Sequence, residues 1–376
     1  MKPLPIDLVI YKIAQRCNLD CSYCYVYNQG DSSWRDRPSI SSYEVSSQLG
    51  ESIKRHCQTH NRTRMTIELH GGEPLLIGKR KFIEHINLLR KTSSPIELDF
   101  CMQTNGLLLD SEWIDIFKSN SVVFSISLDG PPKIADKNRI YPNGNGSTLL
   151  LLKNILNLKE ENPSFDDLCQ GYLCVIDVNS DGGEIFNWFV DSGFNNFDFL
   201  IPDGNYMNPT VSENELLLLE KYLISAFDEW FDSKGKAPKV RLFELAVSSL
   251  FGGKYNVDAF GGDISGLCVV ETNGAISSHD VIRMCLGEYS RDVLNVGSNE
   301  LSDHQSFYKL DEIQKLNSKC RECKYLNTCG GGYLPHRYDG STFDNPSYYC
   351  ATLFGFFSHV ESKVREKMPE GTLRNT

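Results

Sequence analysis

The stretch IDLVIYKIAQRCNLDCSYCYVYNQG, residues 6–30, runs from an apolar, β-prone segment straight into cysteines at positions 17, 21 and 24. Its first part, IDLVIYKI (6–13), reads as a buried strand. Its second part poses a chemical question. A structural zinc takes four protein ligands, and a cubane cluster has four irons to hold. Three thiols separated by three and two residues leave one metal position without a protein ligand, and an open metal position is where substrate chemistry takes place.

Outward from that strand, the pattern repeats. Short apolar runs recur at MTIELH (65–70), IELDFCM (96–102), VVFSISL (122–128), LCQGYLCVI (168–176) and FDFLI (197–201). Between them, residues 42–57, 79–91, 111–119, 148–160 and 184–191 carry helical periodicity. Strands alternating with helices predict an α/β fold with a parallel sheet and right-handed crossovers. Six such units predict a partial (β/α)6 TIM-like barrel with its chemistry at the C-terminal strand ends. Residues 212–251 read as two helices broken by GKAP (235–238). Past about residue 260 the composition turns to glycine, cysteine and turn residues, a segment that needs metal staples to hold it. The expected domains are therefore 1–210, the barrel; 211–260, a helical bridge; and 261–376, a cysteine-rich domain with a C-terminal helix.

Composition excludes some classes. A net charge of −11 argues against nucleic acid as a partner. No apolar run approaches the roughly 20 residues that cross a bilayer, and the start, MKPLPIDLVIYK, lacks a signal-peptide layout. Thirteen cysteines without an export signal favour metal or redox chemistry in the cytoplasm over disulfides. Cys57, Cys101, Cys169 and Cys174 are scattered and read as packing. Cys268, Cys285, Cys320, Cys323, Cys329 and Cys350 crowd the last third.

Each expected strand end carries a polar loop. After the second comes Gly71-Gly72-Glu73-Pro74, after the third Gln103-Thr104-Asn105-Gly106, and after the fourth Ser127-Leu128-Asp129-Gly130. Singly, each is explained by turn chemistry. Together, behind a metal triad, they form a constellation.

CxxxCxxC followed by an aromatic, then GGEP, then SLDG with Arg139 downstream, resembles the radical S-adenosylmethionine (SAM) superfamily over about residues 6–200. The resemblance implies that Cys17, Cys21 and Cys24 hold three irons of a 4Fe-4S cluster whose fourth iron is chelated by SAM. Reductive cleavage then yields a 5′-deoxyadenosyl radical that abstracts hydrogen, using an external low-potential electron donor of flavodoxin or ferredoxin type. By the same resemblance Glu73 accepts from the SAM amino group, with Gly71 and Gly72 giving close approach. Gln103, Ser127 and Arg139 face the ribose or carboxylate, and Tyr25 stacks near the adenine.

Cys320-x2-Cys323-x5-Cys329-x20-Cys350 closes either a zinc site or a cubane on chemistry alone. Behind such a core it resembles the SPASM extension, which implies an auxiliary 4Fe-4S cluster. The chain departs from the fullest SPASM pattern at Tyr333, where a further cysteine would fall. Cys268 and Cys285 alone cannot close a second cluster: either Glu271, His279, Asp280 or water completes it, or that cluster is altered or lost.

The stretches YVYNQGDSSWRDRP (25–38), VVETNGAI (269–276) and CGGGYLPHRYDGSTFDNPSYYC (329–350) resemble maturases that form cyclophanes in ribosomally made peptides. That resemblance implies a carbon–carbon crosslink between a β-carbon and an aromatic ring of a precursor peptide with a leader. The alternative is an anaerobic sulfatase-maturating, formylglycine-forming enzyme; a third reading is a non-catalytic iron–sulfur electron carrier. Asp280, His279 and His336 are the candidate bases. About five residues precede the first expected strand, which leaves leader recognition to the core, the 205–260 helices or a separate protein.

Overall fold

The computed structural model describes residues 3–233, 237–253 and 257–367. Its principal elements, in chain order, are β1 (Leu8–Ala14), α1 (Tyr43–Thr59), β2 (Arg64–Gly71), α2 (Lys79–Ser93), β3 (Glu97–Thr104), α3 (Ser111–Ser119), β4 (Val122–Ser127), α4 (Thr148–Glu161), β5 (Cys169–Val175), α5 (Gly182–Asp191), β6 (Phe197–Leu200), α6 (Leu216–Asp232), α7 (Arg241–Leu250), β7 (Leu267–Val270), β8 (Ala275–Ser277), β9 (Leu294–Asn295) and α8 (Cys350–Glu366). The six expected strands and their intervening helices are all present as an α/β fold. Of the expected break at 235–238, residues 235 and 236 lie outside the described residues.

The chain groups into two compact units. The first comprises 1–127, 135–170 and 264–312, and the second 128–134, 171–263 and 313–376. These units cut across the expected boundaries at 210 and 260. The reason is β7, which pairs in parallel with β1 and so draws residues 264–312 into the first unit.

In the first unit the strand order is β4-β3-β2-β1-β7-β8-β9, parallel from β4 to β7 and antiparallel beyond. β1 is buried along nearly its whole length, as a central parallel strand must be. β2, β3 and β4 alternate instead. Their apolar residues are buried on one face, where Phe124 of β4 meets Phe117 of α3, and Phe117 meets Phe82 of α2. Period-two geometry sends the polar set to the opposite face: Glu68 and His70 of β2, Gln103 of β3, Ser125 and Ser127 of β4. The sheet thus carries one face for helices and one for chemistry. Asp110 caps α3 by accepting from the Trp113 N–H at 2.9 Å, worth about 1 kcal/mol.

The β7–β8 hairpin is an element the sequence reading used only as a family motif. Its signal was Asn273-Gly274, with Gly274 at φ 82°, a standard hairpin dipeptide between two apolar runs.

In the second unit β5 and β6 pair in parallel. α5 packs on α6, and α6 and α7 pack on α8 around Phe227, Phe243 and Phe356. The cysteine-rich part is built of short turns, Ser318–Arg321 and Leu326–Cys329, followed by Gly330, Gly331 and Gly332, all at positive φ. A Cβ on Gly330 would stand 2.2 Å from the Phe260 carbonyl oxygen, so only glycine fits there. Among the described residues, no helix is long and apolar enough to cross a membrane.

Candidate functional site

The cysteine loop begins where β1 ends and is pinned to the exit of β2. The Gly72 N–H donates to the Ala14 carbonyl and the Glu73 N–H to the Arg16 carbonyl, both at 2.9 Å. That approach consumes both glycines. A Cβ on Gly71, at φ 136°, would lie 1.8 Å from the Ala14 oxygen, and one on Gly72 would lie 2.0 Å from the Tyr27 hydroxyl. The space these glycines leave is filled by the protein's own cysteine-bearing loop. Their work is to hold that loop against β2.

Cys17, Cys21 and Cys24 are brought into mutual electrostatic reach. Burial pushes the Cys17 thiol up to about 12; the Leu19 N–H, which points at its sulfur at 3.4 Å, opposes this, while Glu73, Cys21 and Cys24 add to it. Cys24 is also raised by burial, against the N–H groups of Tyr27 and Val26 and the charges of Lys12 and Arg139. Thiols crowded in this way keep their protons unless a metal takes the place of the protons. N–H groups aimed at sulfur suit iron–sulfur ligation. The donor set fits a cluster held by three thiolates.

Glu73 is fully buried between two loops. Its carboxylate accepts from the Leu75 N–H at 3.1 Å, the Thr104 hydroxyl at 2.7 Å and the Asn105 N–H at 2.8 Å. Three of its roughly four acceptor sites are thus taken within the protein, leaving one for a ligand's ammonium. Burial raises its pKa, while those donors and Arg139 lower it. Asn105, which sequence reasoning did not single out, donates to Asn18 at 2.7 Å with its amide 3.8 Å from the Cys17 sulfur. Gln103 donates to the Ser127 hydroxyl at 2.8 Å. Arg139, buried, donates to the Tyr23 hydroxyl at 2.9 Å.

Tyr25 turns its hydroxyl onto the Asp280 carboxylate. Lys12 lies 5.6 Å from the centre of the Tyr25 ring. Burial alone would raise the Asp280 carboxyl; His279, Lys12, His70 and the Tyr25 hydroxyl overcome it and hold the group down to about 2. Asp280 is therefore a buried, ionised carboxylate beside the residue that follows Cys24. His279 lies against it, with Nδ1 3.2 Å from an Asp280 oxygen. Lys12 and His70 belong to this cluster and were missed. For Lys12 the available signal was a charge inside an otherwise apolar strand. His336, the third candidate base, belongs to the second unit. Its Nε2 lies 3.8 Å from Asp203, and its ring meets Tyr333 and Tyr349 edge-on.

Cys268 and Cys285, the two cysteines that could contribute to a second auxiliary site, are both buried. Cys268 sits in β7, and burial raises its thiol. Glu271, fully buried, faces Arg37 at 3.0 Å, Lys12 at 3.5 Å and Arg283 at 3.9 Å. A carboxylate caged by three cations is not a free ligand, so Glu271 is not the residue that would complete such a site.

The four-cysteine set does assemble. Burial and then Cys350, Cys320 and Cys323 push the Cys329 thiol up to about 12, and Cys350 is raised by burial, Cys320 and Cys323. Among the described residues no three His, Cys, Asp or Glu side chains converge closely enough for one metal ion. Four thiolates are the ligand set of an auxiliary 4Fe-4S cluster as well as of a zinc.

Comparisons with known proteins agree with this geometry. Residues 11–186 match the family model described as the radical SAM superfamily. The match spans a little under half of the chain, and over it the protein is similar to radical SAM enzymes. Its relatives are more particular. It is 24% identical over 382 residues to the serine-type anaerobic sulfatase-maturating enzyme of Bacteroides thetaiotaomicron, covering 95% of this chain and 89% of that one. It is 25% identical over 378 residues to the cysteine-type enzyme of Clostridium novyi, covering 96% of each. Among solved structures, native anSMEcpe with bound AdoMet superposes with a TM-score of 0.81 at 22% identity, over 96% of this chain and 99% of that one. Streptococcus suis SuiB bound to precursor peptide SuiA gives 0.60 at 17% identity, over 92% and 76%.

Proposed function

We propose that this protein oxidises a serine or cysteine side chain of a peptide or protein substrate to formylglycine, in the manner of the anaerobic sulfatase-maturating enzymes it is similar to. The observation that carries the reading is Asp280, ionised and buried beside Tyr25 at the edge of the cysteine triad. The end-to-end similarity to sulfatase-maturating enzymes supports it further. These relatives do not support the cyclophane crosslink expected from the sequence, and favour the alternative weighed beside it.

A cluster on Cys17, Cys21 and Cys24 with SAM would supply the hydrogen-abstracting radical, its electron coming from a flavodoxin- or ferredoxin-type donor. The chain's own residues do the rest. Glu73 and Arg139 offer a carboxylate and a guanidinium suited to the amino and carboxylate groups of SAM. Asp280 takes the proton from the substrate hydroxyl or thiol, and Lys12 and His279 steady its charge. The net change is the loss of two hydrogens, one as an atom from Cβ and one as a proton from oxygen or sulfur, with one electron leaving for an oxidant. Cys320, Cys323, Cys329 and Cys350 would hold an auxiliary cluster, which would supply a one-electron acceptor. A cysteine substrate gives a thioaldehyde, in which water then replaces the sulfur.

The test is anaerobic incubation of the reconstituted enzyme with SAM, dithionite and a sulfatase-derived peptide containing one serine or cysteine. We expect 5′-deoxyadenosine together with an aldehyde that a hydrazine traps, and neither product from Cys17→Ala. SAM cleavage accompanied by a crosslinked peptide and no trappable aldehyde would overturn the reading.

A further inference from the structure

Arg337 lies between Cys329 and Cys350 in sequence and is 3% exposed. Its guanidinium donates only to backbone carbonyls. Nε reaches Phe343 at 3.0 Å and Asn345 at 3.2 Å, Nη1 reaches Gln314 at 3.4 Å, and Nη2 reaches Lys315 and, at 3.5 Å, Ile313. These carbonyls belong to 313–315, the segment leading into Cys320, and 343–345, the segment leading into Cys350. One side chain therefore ties together three stretches that bear the four cysteines.

The hydrogen bonds are satisfied, but the charge is not. Carbonyl oxygens carry no net charge, and a buried cation without a counter-ion costs several kcal/mol. Among the described residues no carboxylate lies within ion-pair distance of Arg337; Asp344 acts on it only at longer range and is exposed. The segment 313–315 that Arg337 holds leads directly into Cys320, whose side chain is buried. Arg is permanently charged and rigidly forked, so this arrangement calls for an anion at the thiol site.

We propose that Arg337 is the counter-charge of a cluster on Cys320, Cys323, Cys329 and Cys350, positioning the segments that carry them and setting the cluster's reduction potential. The proposal rests on the auxiliary-cluster reading above. A cubane on four thiolates is an anion in either oxidation state and gains one more negative charge on reduction, and net charge is among the factors that set such potentials. A guanidinium beside it favours the reduced form.

The test uses the full chain with Cys17→Ala, Cys21→Ala and Cys24→Ala, in which about four irons should remain from one cubane. A redox titration followed by electron paramagnetic resonance then compares Arg337 with R337Q and R337K. At any fixed potential we expect R337Q to show a reduced-to-oxidised ratio at least tenfold lower, a shift of about 59 mV for one electron. R337K keeps the charge and should shift less, while losing thermal stability because an ammonium cannot bridge both segments. A wild-type midpoint in R337Q at full iron content overturns the proposal. Should R337Q fail to retain iron, R337K decides: a shift under tenfold supports the role, and a larger one overturns it. Absence of iron before any change at Arg337 would overturn the cluster reading itself, and the proposal with it.

Discussion

At the scale of single residues, charge decides the chemistry. Asp280 remains ionised despite burial because Lys12, His279 and His70 supply positive character and Tyr25 a hydroxyl. Asp280→Asn preserves the shape and an acceptor for Tyr25 while removing the charge that accepts a proton. General-base contributions run to roughly 100-fold or more, so aldehyde formation should fall by about that factor while 5′-deoxyadenosine is still produced. The measurement is the ratio of the two products; an unchanged ratio would remove Asp280 from the proton path. The cysteines were legible because their spacing is local in sequence. Asp280 was only one of three candidates, since its neighbours Lys12 and Tyr25 come from the other end of the chain and only the fold brings them to it.

At the scale of elements, most boundaries follow from periodicity. The reading 6–13 became Leu8–Ala14, and 122–128 became Val122–Ser127. Helix α5 starts earlier than 184 because Gly182 and Gly183 form its first turn, capped by Asp181. A Cβ on Gly182 would stand 2.0 Å from the Tyr222 carbonyl oxygen, so tertiary packing demands glycine inside a helix. The Gly71-Gly72 turn obeys the same logic and supports the cysteine loop. Gly71→Ala should cost more than the roughly 1 kcal/mol of an ordinary glycine replacement, because both the backbone conformation and the Ala14 contact oppose it. We expect a lower urea midpoint and loss of the triad's iron, with iron at the four-cysteine site retained. Full iron content and an unchanged midpoint would show that the β1 exit loop yields without consequence.

At the scale of the whole molecule, the division into units was hidden from the sequence because it rests on a long-range pairing, β1 with β7, across some 250 residues of chain. The same long-range assembly buries three histidines in the first unit. His56 accepts from the Ile6 N–H at 2.8 Å, His85 meets the Ser46 hydroxyl at 2.6 Å, and His304 meets the Leu301 carbonyl at 2.7 Å. Burial lowers each from an ordinary 6.5 to about 4. The unfolded chain therefore takes up protons that the folded one refuses. Stability from these groups is complete above about pH 6.5 and is lost progressively as the pH falls from there through about 4. Asp280, held near 2 against an ordinary 3.8, adds its own loss of stability only as the pH falls below about 5. Urea unfolding under anaerobic conditions should show lower stability at pH 5 than at pH 7, and His56→Gln, whose amide oxygen can still accept from Ile6, should flatten that difference. Equal stability at both pH values would mean that these imidazoles exchange protons with solvent as freely in the folded protein as in the unfolded chain.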